Sequence, residues 1–275
     1  NGDNLLAKVK EINNDTTLNN MREKAKELAK NNPTELSNLL CKDFNVRVTS
    51  EEKWLTFDIA NNEETFDIET LRDTYAIGGA DLSSTTDLTC ATLIILKDGK
   101  VFVLQQYFIA NARLESKIKE DKIPYDVWNK RGLVTLCDGA KVNYSDVTAW
   151  FVKMMDEYQI NTLWVGYDPW NAQYWVEEME ATGFTMIEVR QGAQTMSNPM
   201  KQLEADLIEK KVNYNNNPVL KWCLTNTSVK RDDNDNIRPV KGKQQRARID
   251  GSVSLIIAYC ILAEKYTDYF NLMGE

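Results

Sequence analysis

The chain has 275 residues, of which 43% are hydrophobic and 27% are charged, and its formal net charge is −8. A chain of this composition is globular, and its length allows one large domain, or one domain with an appendage, around a substantial core. Histidine is absent, which excludes a Ser-His or Cys-His nucleophile pair, an imidazole general base and a His-ligated zinc within the chain. The acidic balance argues against a broadly basic nucleic-acid coat, but it allows a local basic groove.

Several other classes of protein are disfavoured by what the sequence lacks. It has no apolar run near the roughly 20 residues of a membrane span and no signal peptide, so we expect a cytosolic protein without a membrane partner. The phosphate-loop motif GxxxxGK(S/T) and the dinucleotide motif GxGxxG do not occur. The five cysteines are scattered singly and are interpreted as buried thiols, not as disulfides or zinc ligands. The chain begins with Asn, which suggests that an upstream part is missing.

The first 74 residues are predicted to form a helical arm and linker. In LNNMREKAKELAKNNPTELSNLLCKDF, charged residues alternate with Leu and Ala at helical spacing, and a short extended piece, VRVTSEEKWLTFDI, follows. Residues 75–275 are predicted to form the main domain. It opens with the strand AIGGADLSS and continues with TCATLIILKDGKVFVLQQYFI, two β-rich runs joined at Asp98–Gly99, which is a strong hairpin signal.

The second half of the domain alternates helices and strands. A polar, helix-leaning segment extends to about Tyr158, and the apolar strand TLWVGYD ends at Asp168–Pro169. The helix NAQYWVEEMEATG, the strand FTMIEVRQG and the helix NPMKQLEADLIEKK follow, with Pro199 in the first turn of the last. This alternation predicts parallel neighbouring strands. The final helix, GSVSLIIAYCILAEKY, is apolar on nearly all sides and is predicted to pack into the body of the domain.

This order of elements resembles the ribonuclease H-like fold, an α/β architecture with a mixed five-stranded sheet and flanking helices. In that fold the first and fourth strands are neighbours at the sheet centre, so the resemblance places Asp81 and Asp168 side by side. Asp250, at the start of the final helix, is expected to supply a third carboxylate at the same edge. Grouped carboxylates repel one another unless cations lie between them, and oxygen ligands without His or Cys favour Mg²⁺ or Mn²⁺.

Each of these acids also has a purely structural interpretation. Asp81 could cap a turn, Asp168 could end a strand before a proline, and Asp250 could be a helix N-cap. The convergence of three acids from three separate element ends favours a metal site over capping alone. Asp87, in the loop after SSTT, is interpreted as a residue that supports the metal site from outside its main ligands.

From about residue 75 to the end, the sequence resembles the nuclease domain of bacteriophage terminase large subunits. The matching stretches, in family order, are GGADLSSTTDLT, VGYDPWNA, RQGAQTMSNPMKQLE, NPVLKWCLTNTSVKRDDNDNIRPVKGK and RIDGSVSLIIAYCILAE. The preceding LCKDFNVRVTSEEKWLTFD is similar to the linker after the motor domain of that family. The resemblance therefore implies that residues 1–74 are an arm and linker from an ATPase domain that is absent from this chain.

The resemblance also implies an activity and partners. Nucleases of this family are metal-dependent and cut concatemeric double-stranded viral DNA when packaging starts and ends, in the cytoplasm of the host cell. Two Mg²⁺ or Mn²⁺ ions about 3.5–4 Å apart suit this hydrolysis, with Asp81 bridging both ions and Asp168 and Asp250 each binding one. The products would be 3′-hydroxyl and 5′-phosphate ends. In the full-length protein the partners would be the ATPase domain, the small terminase subunit and the portal.

A basic segment lies beside the predicted site. Between Lys221 and Asp250 there are eight basic residues and four acidic ones, a local charge of +4 in a chain of −8. The turn residues around Asp235–Asn236 indicate a hairpin or a flexible flap. The residues predicted to contact DNA phosphates, without reading sequence, are Lys230, Arg231, Lys241, Lys243, Arg246 and Arg248. A solvated loop of ordinary charge is the alternative, and among the aromatic residues near the site Trp170 is the candidate for DNA contact.

Three other functions remain open on the residues alone. A resolvase or transposase core would share the acids but not the NPVLKW and RPVKGK segments. A non-catalytic module that binds DNA or docks on the portal would use the acids structurally. A nuclease built on an acid and an E-x-K motif could use Glu115 and Lys117, but this triplet lies in a helix-like stretch away from any strand end.

Overall fold

A computed structural model describes residues 16–31, 52–83, 87–242 and 247–273 of the chain. The chain separates into two compact units, Asn1–Ser50 and Glu51–Glu275. In the first unit the described part is the helix α1 (Thr16–Asn31), which lies in the segment predicted to be a helical arm. The predicted boundary before residue 75 falls inside the second unit.

The second unit contains a seven-stranded mixed sheet and a small three-stranded sheet. The strands, in chain order, are β1 (Glu52–Lys53), β2 (Tyr75–Asp81), β3 (Thr89–Lys97), β4 (Lys100–Ala110), β5 (Val134–Cys137), β6 (Asn161–Tyr167), β7 (Met186–Glu188), β8 (Val212–Asn213), β9 (Thr227–Arg231) and β10 (Ile237–Lys241). The order in the large sheet is β5-β4-β3-β2-β6-β7, and β8 pairs with β4. The five predicted strands are β2, β3, β4, β6 and β7, which confirms the mixed sheet. The short strands β5 and β8 extend it beside β4.

Pairing in the large sheet follows the predicted topology. β2 is antiparallel to β3, and β3 is antiparallel to β4 across the Asp98–Gly99 turn, so the predicted hairpin is confirmed. β6 is parallel to both β2 and β7. β2 and β6, the first and fourth strands of the predicted order, are therefore neighbours, and their carboxyl ends lie at the same edge of the sheet.

Helices cover both faces of the large sheet. The α-helices described in the second unit are α2 (Phe57–Ala60), α3 (Leu114–Asp121), α4 (Tyr125–Lys130), α5 (Tyr144–Tyr158), α6 (Gln173–Ala181), α7 (Ala193–Ile208), α8 (Pro218–Asn226), α9 (Asp250–Glu264) and α10 (Tyr266–Met273). α7 and α9 pack on one face, in an apolar cluster that includes Ile77 and Ile94. α5 and α6 pack on the other face, in a cluster that includes Ala76 and Leu93. The core therefore has one layer on each side of the sheet.

Helix α9 is the predicted apolar helix, and its residues from Asp250 to Leu262 are buried, as expected. It lies very close to the sheet at Gly79, where a Cβ atom would come within 2.4 Å of the carbonyl oxygen of Ser254. The Ser254 hydroxyl also donates a hydrogen bond to the Gly79 carbonyl oxygen, at 2.9 Å. The start of α9 is thereby fixed near the end of β2. Within the described residues, no helix combines the length and the apolar character that a membrane crossing requires.

Helix α7 begins earlier than predicted, at Ala193, so Pro199 lies inside the helix and not in its first turn. An interior proline leaves the carbonyl group four residues before it, here that of Thr195, without its usual backbone donor. The Cys260 Sγ atom lies 4.0 Å from this carbonyl oxygen and is a weak donor to it. The prediction was wrong because Asn198–Pro199 looks like a helix start, whereas the turn before it is already helical.

The small sheet connects residues 52–60 to the domain. Its order is β1-β9-β10, with β1 antiparallel to β9. Trp54, Leu55 and Ala60 are buried in the apolar cluster that also contains α9 residues. These contacts explain why a stretch that the sequence assigned to the linker belongs to the second unit.

The cysteines in the described part of the chain are buried thiols, as predicted. Cys90, Cys137, Cys223 and Cys260 are all free and buried. Cys41 lies outside the described residues.

Candidate metal centre

Asp81 and Asp168 lie at the same edge of the large sheet. Asp81 is the last residue of β2, and Asp168 directly follows β6. The two strands are parallel neighbours, and their register pairs Ala80 with Tyr167, the residues just before the two acids. Both acidic side chains are half-buried. The structure therefore places the two acids level with each other at the ends of adjacent strands.

The alternation of side chains puts both acids on the α9 side of the sheet. A Cβ atom on Gly79 or on Gly166 would collide with residues of α9, so these two positions face that helix. Side chains two residues apart along a strand point to the same face. Asp81 and Asp168, each two residues after one of these glycines, therefore point toward the side on which α9 begins.

Asp250 is the first residue of α9 and is 4% exposed. The N-cap of this helix is Ile249, so the interpretation of Asp250 as the N-cap residue does not apply. The Oδ2 atom of Asp250 is buried and has no hydrogen-bond partner in the described part of the chain. A buried carboxylate oxygen without a donor is costly unless it is paired or binds a cation. This oxygen is therefore suited to a metal ion.

Negative charge accumulates around Asp81. Burial raises the pKa of the Asp81 carboxyl well above its usual range, and the charges of Asp250 and Asp168 raise it further. Burial, followed by the charge of Asp87, raises the pKa of Asp250 to about 6, although Lys241 acts in the opposite direction. The protein's own cations therefore leave part of this charge unbalanced. A bound divalent cation would relieve the repulsion.

The donors in this group fit a hard divalent cation. Carboxylate oxygens, with neither His nor Cys, are the ligands that Mg²⁺ and Mn²⁺ prefer. In the residues that the structure describes, no three His, Cys, Asp or Glu side chains already lie close enough together to hold an ion. An ion would have to draw Asp81, Asp168 and Asp250 toward one another.

Asp87 lies beside these three acids, but its charge is already balanced. Its Oδ1 atom forms ion pairs with Lys241 Nζ and Arg248 Nη1, both at 2.5 Å. Burial raises the pKa of Asp87, but the hydrogen bonds and charges of Lys241 and Arg248 outweigh burial and lower this pKa overall. Asp87 therefore has less free charge to offer a cation than its neighbours, and its position suits a supporting role.

Arg248 is buried in an ion-pair network, where the sequence predicted a surface residue that contacts phosphates. Its side chain is 6% exposed, and that of Asp121, at the end of α3, is 1% exposed. Arg248 donates from Nε and Nη2 to the two carboxylate oxygens of Asp121, at 2.9 and 2.7 Å. Tyr125 donates its hydroxyl to the same carboxylate, at 2.8 Å. A phosphate contact is not available to this guanidinium, because the carboxylates of Asp121 and Asp87 enclose it.

The sequence did not predict that Asp121 and Tyr125 take part in this network. They lie in the stretch KIKEDKIPYD, whose charges are typical of a solvated helix end. One signal was available: Arg248 precedes a helix predicted to be buried, and a buried arginine needs an acidic partner. Nothing in the sequence indicated that α3 would provide this partner.

Comparison with known proteins assigns a family to this chain. The family model described as "Terminase large subunit, endonuclease domain" matches residues 9–265. This chain belongs to that family. The resemblance drawn from the sequence motifs is confirmed.

Individual terminases are similar over most of the chain. The terminase large subunit of Enterobacteria phage HK97 is 28% identical over 219 residues, which cover 78% of this chain and 42% of the relative. The terminase large subunit of Lactococcus phage SK1 is 25% identical over 240 residues, which cover 84% of this chain and 43% of the relative. The crystal structure of the HK97 large terminase matches with a TM-score of 0.68 at 24% identity, covering 86% of this chain and 49% of that chain, which supports the fold. This chain spans less than half the length of these relatives.

In this terminase domain the β9–β10 hairpin carries part of the predicted DNA-contacting set. The two strands pair antiparallel, which confirms the hairpin predicted around Asp235–Asn236. Lys230 and Arg231, at the end of β9, are both exposed. Arg231 pairs with Asp235 in the turn, at 3.0 Å. A DNA phosphate that contacts Arg231 would therefore have to displace the Asp235 carboxylate from it.

The remaining predicted DNA contacts of the terminase domain lie after this hairpin. Lys241 ends β10, and its side chain is 38% exposed although it pairs with Asp87. Lys243 and Arg246 lie outside the described residues. Since Lys241 is next to the acidic group, a DNA strand at Lys241 would also be close to the candidate metal ligands.

The E-x-K alternative is not favoured by the positions of Glu115 and Lys117. Both residues lie in α3, but Glu115 is exposed whereas Lys117 is buried. Burial and then the charge of Arg248 lower the pKa of Lys117, and the charges of Asp121 and Asp250 act against this. Lys117 is therefore buried close to the charges of Arg248, Asp121 and Asp250, while Glu115 is exposed to solvent.

Proposed function

We propose that this chain is the nuclease of a phage DNA-packaging terminase and cuts concatemeric double-stranded DNA by metal-dependent phosphodiester hydrolysis. The observation that carries the proposal is the buried Oδ2 atom of Asp250, which has no hydrogen-bond partner in the described residues. Asp250 is the first residue of α9, the helix that packs beside the sheet edge where Asp81 and Asp168 lie. Membership of the terminase endonuclease-domain family supports DNA as the substrate.

Each of the three acids has a proposed role. Asp81, which is central among them, would bridge two Mg²⁺ or Mn²⁺ ions, and Asp168 and Asp250 would each bind one. Two such ions, when bound, lower the pKa of the attacking water and stabilise charge on the phosphate and the departing oxygen. A histidine base is absent from the sequence and is not needed for this chemistry. The products would be 3′-hydroxyl and 5′-phosphate ends.

The protein itself positions the carboxylates. Asp168 accepts a hydrogen bond at Oδ1 from the backbone N–H of Trp170, at 2.8 Å. Lys241 and Arg248 balance the charge of Asp87, which reduces its repulsion of the other acids. Removal of supporting contacts of this kind weakens metal binding or activity by about 10–100-fold in metalloenzymes.

The partners of this domain are proposed on the same basis. We expect a full-length terminase to join the nuclease to an ATPase domain, and to work with the small terminase subunit and the portal in the cytoplasm of the host cell. The matched regions of the HK97 and SK1 relatives cover 42% and 43% of their lengths, so most of each relative lies outside the nuclease match.

A plasmid cleavage assay tests the proposed function. With Mg²⁺ or Mn²⁺ the chain should make double-strand cuts in unrelated sequences, and a chelator should stop the reaction. Titration with Mn²⁺ in a calorimeter gives a second readout that does not depend on cleavage. Cutting that is confined to branched DNA would favour a resolvase, and a lack of Mn²⁺ binding would favour a non-catalytic module.

We expect three basic residues after β9 to determine the salt dependence of DNA binding. The variant Lys241→Ala/Lys243→Ala/Arg246→Ala should flatten the plot of log affinity against log salt by up to about 3 units, since each phosphate contact contributes roughly 0.9. The loss should be equal on unrelated sequences, because phosphates carry no base information. Fluorescence anisotropy of labelled duplexes at several salt concentrations measures both quantities.

The matched control removes the same charge from the opposite edge of the sheet, in the variant Lys97→Ala/Lys100→Ala/Lys211→Ala. Lys97 and Lys100 flank the turn between β3 and β4, whereas Asp81 pairs with Cys90 near the other end of β3. The control should keep the wild-type slope. A wild-type slope near zero, or the same slope in both triple variants, would show that DNA reaches the site from another side.

A further inference from the structure

Two large aromatic side chains are exposed directly after Asp168. Trp170 is 79% exposed and Tyr174 is 84% exposed, the highest values among the large hydrophobic residues that the structure describes. The next values are 60% for Phe57 and 55% for Tyr266. Exposed aromatic surface of this kind is often an interaction site, since a Trp or Tyr ring buries about 150–250 Å² when it is covered.

The backbone beneath these rings is fixed, although the rings themselves are in solvent. The backbone N–H of Trp170 donates to Asp168 Oδ1 at 2.8 Å, and Asn171 has a left-handed φ of 58°. Ala172, between the two exposed residues, and Trp175, directly after them, are buried and anchor the start of α6. Packing of the core therefore accounts for Trp175 and leaves Trp170 and Tyr174 without a structural role in the described part of the chain.

The surroundings of the two rings suit a nucleobase better than a phosphate. Residues 168–189 contain no Lys or Arg, so the segment that carries the two rings itself offers no cation to a phosphate group. The exposed polar neighbours on the loop and the first turn of α6 are the neutral amides Asn171 and Gln173. Gln173 donates at 3.3 Å to Glu177, an exposed carboxylate further along the helix. Aromatic faces accept any base by stacking, independently of sequence.

We propose that Trp170 and Tyr174 form an aromatic platform that stacks on unpaired or unstacked bases of the DNA strand next to the cleavage point. This inference rests on the proposed nuclease function. The backbone N–H of Trp170 is hydrogen-bonded to Asp168, so a nucleotide whose phosphate is cut at the acidic group would lie close to the loop that carries the indole ring. In a fully paired duplex the base faces are covered, and the platform therefore favours DNA that is frayed, mismatched or bulged near the cut.

The test compares Trp170→Ala and Tyr174→Ala with the wild-type chain on two labelled duplexes, one fully paired and one with a central bulge. Each variant should bind the bulged duplex about 5- to 150-fold more weakly, the effect of losing one base–aromatic stack. The change on the paired duplex should be much smaller. Trp170→Phe keeps an aromatic face and should recover most of the loss. The slope of log affinity against log salt should stay at the wild-type value, because stacking releases no counterions.

Tyr266→Ala is the matched control, an exposed aromatic residue near Lys97 and Gly99 at the opposite edge of the sheet. It should bind both duplexes as the wild-type chain does. Unchanged binding of Trp170→Ala and Tyr174→Ala, or an equal loss on both duplexes, would overturn the platform. If the wild-type chain cuts DNA normally in that case, the proposed function stands and the aromatic residues serve another partner. A wild-type chain that neither cuts nor binds DNA would overturn both proposals.

Discussion

We expect Asp81→Asn and Asp250→Asn each to slow cleavage by at least about 100-fold in Mg²⁺ or Mn²⁺. Asn keeps the shape of the side chain but replaces a charged oxygen by an amide group, which removes a metal ligand. Loss of a residue that only supports a metal ligand costs about 10–100-fold, and loss of a ligand itself should cost no less. The initial rate of plasmid cleavage at saturating DNA measures the effect.

Two controls separate this loss from unfolding. The melting temperature of both variants in a chelator should equal or exceed that of the wild-type chain, because each substitution removes a charge from a group of carboxylates that repel one another. Asp98→Asn, in the exposed hairpin turn, is the matched substitution, since Asn also tolerates its left-handed φ of 52°. Full activity of either site variant, or undiminished wild-type activity in a chelator, would contradict the proposed centre.

The second large effect is expected from Asp121→Ala, which should lower the free energy of unfolding by about 3–5 kcal/mol. The substitution leaves the buried guanidinium of Arg248 without the carboxylate that accepts two of its hydrogen bonds. Tyr125 loses its acceptor at the same time. Urea denaturation followed by tryptophan fluorescence measures the change.

Glu120→Ala provides the matched control, because Glu120 precedes Asp121 on α3 and is exposed. Its free energy of unfolding should change by no more than about 0.5 kcal/mol. The Asp121→Ala variant should also bind Mn²⁺ more weakly where it remains folded, since Arg248 holds the segment that leads into Asp250. A loss of stability below about 1 kcal/mol would show that the network around Arg248 does not depend on this ion pair.

Features with a local signal were determined by the sequence alone. The hairpin at Asp98–Gly99, the central strands and the apolar final helix follow from turn chemistry and hydrophobic periodicity, and the structure has all of them. The absence of histidine by itself excludes an imidazole base and a His-ligated zinc within this chain. The positions of Asp81 and Asp168 at strand ends were also local, and the resemblance of the element order to the ribonuclease H-like fold implied that these strands are neighbours, as the structure has them.

The tertiary structure decided the features that depend on distant parts of the chain. Arg248 and Asp121 are 127 positions apart, and the sequence shows two ordinary surface charges until folding buries them together. The strand β8 has two residues, and it exists because β4 lies beside it. Trp54 belongs to the core because it packs in the apolar cluster that contains α9 residues. Its neighbours in the sequence do not indicate this burial. Periodicity shows which face of an element is buried, but burial and pairing depend on which distant element covers that face.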